Sequence, residues 1–277
     1  MRSSIALLLV TAVLCFACAR TPEPIPVNPN KMSPEETGNF RESLQAARDY
    51  FEAGKLTQAI ERYRELLQEE NLGRTIYVAG ISGLVRALVY DDQWEEALAV
   101  ARAAVEKVED SAALYSSLGR AYYALEDYPR ASEAWLKALD LNPREPYAHY
   151  GLGRISHFSR RISTAKLLLE KAIRYQDDNP TYYLGLAEIF AYERNFAEAI
   201  ENLKKYLSFD PQYDRKNKEA VEEYVQVLES FGNDPPYRVS VPDTTEIPFE
   251  SFMGMGMPVV EASINGEEPR MFLFDTG

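Results

Sequence analysis

The sequence predicts a mainly α chain, in which a solenoid of helix-turn-helix repeats is closed by one capping helix and followed by a short, incomplete β segment. Three observations predict it. Alanines in similar contexts recur at Ala59, Ala97, Ala131, Ala165 and Ala199, the last four 34 residues apart and the first pair 38 apart. Each alanine lies in an apolar pattern of helical spacing, as in Gln58-Ala59-Ile60 and Glu198-Ala199-Ile200. From Asn233 the texture changes, because Asp234-Pro235-Pro236 breaks the helical pattern and β-branched and aromatic residues begin to alternate.

The bulk composition bounds what such a chain does. With 277 residues, 46% apolar and 26% charged, it reads as one to two globular domains. The net charge of −13 is spread along the chain and argues against a nucleic-acid partner, which calls for a basic footprint. Both cysteines, Cys15 and Cys18, fall in the first 19 residues, so the remainder has no thiol chemistry. His149 and His157 lie eight residues apart in one helical pattern, with no further metal ligands around them. We expect neither a metal nor a cofactor.

Residues 1–19 read as an export segment. Arg2 supplies a positive start, and Ile5 to Phe16 is an apolar run too short to span a bilayer comfortably. Two cleavage readings stand side by side. Ala17-Cys18-Ala19 fits the small-x-small rule for a cut before Arg20, giving a soluble exported protein. Cys18 also resembles the lipid-modified cysteine of bacterial lipoproteins, although Cys15 and Phe16 replace the usual leucine and small residue. That resemblance implies membrane attachment at Cys18, in the periplasm or cell envelope. Residues 20–38, with Thr21-Pro22-Glu23-Pro24-Ile25-Pro26, form the Pro-rich tether behind it.

Residues 39–232 hold the array. Five repeats register at 40–73, 78–111, 112–145, 146–179 and 180–213, followed by an amphipathic capping helix from Lys216 to Phe231 that Gly232 stops. The third reads Leu118-Gly119-Arg120-Ala121-Tyr122, then Tyr128, Ala131, Trp135, Ala138 and Pro143; the fifth reads Leu186-Ala187, Phe190, Phe196, Ala199, Leu203 and Pro211. This pattern resembles the tetratricopeptide repeat (TPR) family over roughly seventy per cent of the chain. The resemblance implies a right-handed TPR superhelix. Gly119, Gly153, Ala131 and Ala165 must be small where the helices of a repeat cross, while Tyr63, Trp135 and Leu203 fill the space between repeats. Repeat two departs from the pattern, with Val85 at the small position and four extra residues before it.

The resemblance further implies a protein or peptide partner on the concave face, lined by the first helix of each repeat. The ninth position of successive repeats holds Arg48, Arg86, Arg120 and Arg154, then switches to Glu188. Tyr123, Tyr150, Phe158 and Tyr192 join Phe51, Tyr90 and His157 at nearby inward positions. Arginine forks bind carboxylates in bidentate fashion, so an acidic extended segment is the expected ligand. The competing expectation is a solvated face whose arginines pair with local glutamates.

After a linker at 233–245, residues 246–277 offer strands at Glu246–Phe252, Pro258–Ile264 and Arg270–Phe274, with Asn265-Gly266 marking a hairpin. Val259 to Gly266 followed by Arg270-Met271-Phe272-Leu273-Phe274-Asp275-Thr276-Gly277 resembles the opening of bacterial retropepsin-like aspartic proteases. The resemblance implies that Asp275 is one of two aspartates sharing a proton around a water, with Thr276 and Gly277 shaping the loop, and that a homodimer supplies the second aspartate. The flap and later strands of that family are missing after Gly277, so the expectation is a truncated domain, inactive as given. The alternative is a non-catalytic TPR adaptor lipoprotein whose Asp-Thr-Gly is an ordinary turn.

Overall fold

The computed structural model describes residues 34–69, 71–230, 250–251, 258–262 and 270–273, with no side chains described in the last three stretches. The expected export segment with Cys18, and Asp275, Thr276 and Gly277, lie outside the described residues. Contacts divide the chain into two units, Met1–Asn233 and Asp234–Gly277.

The first unit is built from helical hairpins. The first (A) helices are α1 (Pro34–Glu52), α3 (Arg74–Tyr90), α5 (Ala112–Ala124), α7 (Pro146–Phe158) and α9 (Pro180–Tyr192). The second (B) helices are α2 (Leu56–Gln68), α4 (Trp94–Lys107), α6 (Tyr128–Leu141), α8 (Ile162–Tyr175) and α10 (Phe196–Ser208). A 3-10 turn, Gln212–Asp214, then leads into the capping helix α11 (Arg215–Ser230). Each A helix packs on its own B helix, each after the first also on the preceding B helix, and each before the last on the next A helix. The A helices therefore form the inner, concave layer of a right-handed helical-repeat solenoid and the B helices the outer one.

Local sequence explains where the helices start and stop. Ser111 Oγ, Asp127 Oδ1 and Asn179 Oδ1 cap α5, α6 and α9 by accepting from Leu114, Arg130 and Thr181 backbone N–H groups. Pro146 and Pro180 occupy first helical positions, where no N–H is needed. At the A-to-B turns the N–H of Lys55, Gln93, Asp127, Arg161 and Asn195 donates to the carbonyl five residues back, at 2.8–2.9 Å. The residue before each of these, Gly54, Asp92, Glu126, Arg160 and Arg194, has positive φ. That is a Schellman ending, repeated once per hairpin.

The four extra residues of repeat two have a simple destination. Helix α3 has 17 residues where α5, α7 and α9 have 13, so the insertion adds one turn at the N-terminus of α3. Arg86 thereby keeps its register with Arg120 and Arg154. Val85 is fully buried despite standing where a small residue was expected.

The core runs along the solenoid, and Trp135, Tyr63, Tyr182, Tyr206 and Phe51 are its largest enclosed side chains. Trp135 shows how it is packed. Its indole Nε1 donates to the Ser116 carbonyl at 3.1 Å. Its ring lies against Gly119 of its own repeat and Gly151 of the next, and a Cβ at either glycine would overlap it. Ala131 and Ala165 are fully buried at the hairpin crossings, and Tyr63 and Leu203 are buried as well.

In the second unit, β1 (Glu250–Ser251), β2 (Pro258–Ala262) and β3 (Arg270–Leu273) form an antiparallel sheet in that order. Val259 pairs with Leu273 and Ala262 with Arg270, so β2 and β3 are the two sides of the expected hairpin.

Candidate functional site

Among the described residues, two cavities open along the groove of the A helices. The larger, about 1030 Å³, is lined mainly by the N-terminal halves of α3, α5, α7 and α9, with Arg48 and Glu52 of α1. The smaller, about 490 Å³, is lined by Tyr90, Tyr150, Arg154 and Glu188 together with Asp214 and α11 residues. Between them lies the turn that ends the fifth repeat, Gln212–Asp214. Tyr213 of that turn stacks on Phe51 with ring centroids 4.4 Å apart and meets Tyr90 edge-on at 5.0 Å.

The ninth-position arginines fall into two kinds. Arg86 donates to Glu52 at 2.9 Å, and Arg154 to Glu188 at 2.7 Å. Both partners lie one repeat period away in sequence. Arg48 and Arg120 also line the larger cavity and have no carboxylate partner among the described residues. The Arg120 guanidinium instead sits 3.4 Å from the centroid of the Tyr147 ring. Arg74, at the extra turn of α3, pairs with Asp110 at 2.6 Å on the rim. Glu145 and Asp178 complete the charged lining, and burial raises the Glu145 carboxyl above its ordinary value.

The expected aromatics do not converge in one place. Tyr150 lines the smaller cavity, where burial pushes its hydroxyl well above the usual tyrosine range. Tyr123, Phe158 and Tyr192 line neither cavity and sit at or near the C-terminal ends of α5, α7 and α9. There Phe158 stacks on Tyr123 at 6.4 Å and on His157 at 6.1 Å, and His157 meets Tyr192 at 6.1 Å. Phe158 and Tyr192 are half exposed, forming an aromatic rim beside the groove rather than its floor. Two groove residues escaped the sequence reading. Tyr147 supports Arg120, and Tyr213 occupies the groove; an aromatic after Asp210-Pro211-Gln212 was the available signal for the latter.

His149 is enclosed, and its Nε2 lies 2.9 Å from the Pro143 carbonyl. His157 Nδ1 lies 3.8 Å from Glu188. No group of three or more metal-ligating side chains gathers among the described residues, and no described helix is long and apolar enough to cross a membrane.

Five hairpins stacked around a concave groove are the arrangement of a tetratricopeptide-repeat solenoid, and the chain carries such repeats within residues 83–214. The TPR repeat profile matches residues 119–157, and a second tetratricopeptide repeat profile matches 83–131 and 158–214. Among solved structures, a thermophilic TPR protein of Thermus thermophilus is similar with a TM-score of 0.55 at 18% identity, over 69% of this chain and 99% of that one. The Cut9–Hcn1 hetero-tetramer of the APC/C is similar with a TM-score of 0.54 at 14% identity, over 69% of this chain and 36% of that one. At those identities the likeness concerns the fold. The Sol locus transcriptional repressor of Clostridium acetobutylicum is 32% identical over 94 residues, 34% of this chain, and the match spans 30% of that protein.

Proposed function

We propose that this chain is a scaffold whose concave groove captures an extended, acidic segment of a partner protein. The observation that carries the reading is the pair Arg48 and Arg120, two cations in one large cavity with no carboxylate partner among the described residues. An extended strand advances about 3.3 Å per residue and helices pack about 8–10 Å apart. Every third residue of a bound segment therefore comes level with a new A helix. Selection from a displayed peptide library tests this. The intact chain should enrich acidic sequences, and Arg48→Glu with Arg120→Glu should abolish that enrichment. Unchanged enrichment in the charge-reversed chain would leave the arginines as a solvated face.

The finer parts of the reading belong to the same proposal. The chain is exported, and Cys18 carries a lipid that tethers it to the cell envelope; the basic start and apolar run of 1–19 support this. Labelling with a fatty-acid analogue that Cys18→Ser removes would test it. Asp275 is one catalytic aspartate of a retropepsin-like domain completed by a homodimer. The supporting feature is the β2–β3 hairpin, whose return strand leads in sequence to Asp-Thr-Gly. In the protein as the cell makes it, Asp275→Ala should abolish peptide cleavage while leaving partner binding unchanged. Cleavage that survives refutes the protease assignment and leaves the adaptor.

A further inference from the structure

The five A-to-B turns share one backbone conformation, yet only the first uses glycine. Asp92, Glu126, Arg160 and Arg194 adopt positive φ with full side chains, whereas the first turn places Gly54 there at φ 71°. The turn itself therefore does not require glycine. The neighbour does: a Cβ on Gly54 would lie 2.6 Å from the carbonyl oxygen of Gln212, which belongs to the 3-10 turn at the end of the fifth repeat. The first hairpin is shaped to receive a segment from the far end of the array.

What it receives has a definite chemistry. Tyr213 is 8% exposed, stacked on Phe51 and edge-on to Tyr90. The Arg86 guanidinium lies 3.9 Å from the Phe51 ring centroid and 5.8 Å from that of Tyr213. Burial raises the Tyr213 hydroxyl above its ordinary value, with Arg86 opposing the shift. The following residue, Asp214, accepts from the Tyr206 hydroxyl at 3.1 Å and faces the smaller cavity. An aromatic residue followed by an acid thus lies across a groove lined by both arginines and carboxylates, with open volume on both sides of it.

We propose that the recess formed by Phe51, Tyr90 and Arg86 is a binding site for an aromatic-acidic peptide segment. Tyr213-Asp214 fills it in cis, and a partner segment of the same chemistry enters by displacing that turn. The inference rests on the reading of the groove as a peptide site and adds to it a specific pocket and a built-in competitor. A covalently tethered competitor acts at high effective concentration, so it lowers the apparent affinity for a partner by the fraction of time the recess is filled.

The test uses a fluorescent peptide copying Phe209–Asn217, added to the full chain. Tyr213→Ala empties the recess. Gly54→Asp pushes the turn away while keeping a residue that the second repeat tolerates at the same backbone position. Helical circular dichroism of both variants should match the parent. Each variant should bind the peptide at least about tenfold more tightly than the parent chain, and a peptide with alanine for tyrosine should not bind. Equal affinity for parent and variants, or no binding to any, overturns the proposal. An acidic peptide without aromatics separates the two readings. If it binds all chains equally while the copied segment binds none, the groove remains a peptide site and the recess is not its ligand pocket. If neither binds, both readings fall.

Discussion

Arg154 donates to Glu188 at 2.7 Å, joining the ninth positions of the fourth and fifth repeats, and with a side chain 16% exposed it is the most enclosed arginine among the described ion pairs. The contact spans one full repeat period, so it welds neighbouring units rather than decorating one helix. Removing only the carboxylate strands a buried cation. Glu188→Gln should therefore cost about 1–3 kcal/mol, and Arg154→Leu with Glu188→Leu should recover part of it. A double-mutant cycle in urea unfolding measures the coupling.

The Trp135 slot tests inter-repeat packing. Trp135→Ala should cost about 3–5 kcal/mol, because the indole is fully enclosed and its Nε1 bond to Ser116 is lost with it. Gly119→Ala and Gly151→Ala should each cost about 1–3 kcal/mol, since the added methyl meets a ring with nowhere to move. Ala131→Leu belongs to the same range. Equilibrium unfolding of each variant gives the values.

The repeat turns predict opposite outcomes for adding and removing glycine at the same backbone position. Glu126→Gly and Arg160→Gly relieve side chains held at positive φ and should raise stability by a few tenths to about 1 kcal/mol. Gly54→Ala should lower stability, as its Cβ meets the Gln212 carbonyl. Thermal melts would separate these signs.

His149 predicts an acid-sensitive term. Burial disfavours its imidazolium and lowers its pKa below the ordinary value, with the Pro143 carbonyl opposing the shift and Lys171 adding to it. A neutral ring donating from Nε2 satisfies that carbonyl. A depressed folded-state pKa contributes stability that is complete above the unfolded value, about 6.5, and is lost as pH falls through the folded value. His149→Gln should flatten this part of the pH–stability curve. A slope left unchanged between pH 7 and 5 would contradict the assignment.

The fold was legible because each hairpin repeats the same local demands, and a period of 34 records them directly. The ion pairs were half legible: Glu52 and Glu188 stand one period from Arg86 and Arg154, but an offset does not say which rotamer closes the gap. Gly151 and Tyr213 were not legible. Gly151 is small because of Trp135 in the neighbouring repeat, and Tyr213 meets Phe51 from the opposite end of the array. A periodic pattern registers what every repeat shares, whereas these contacts occur once. Tyr123, Phe158 and Tyr192 follow the ninth positions by three or four residues and so share their helical face. Spacing fixes that face without fixing the height along it, and they sit at or near the C-terminal ends of α5, α7 and α9, beyond the two cavities.

In the proposed function, Arg48 and Arg120 make the groove a receptor for acidic protein segments. Peptide selection on the intact chain measures it most directly, comparing the parent with the chain carrying Arg48→Glu and Arg120→Glu. The parent should enrich acidic sequences, and the charge-reversed chain should lose that enrichment at unchanged helicity. The same acidic sequences enriched by both chains would contradict it.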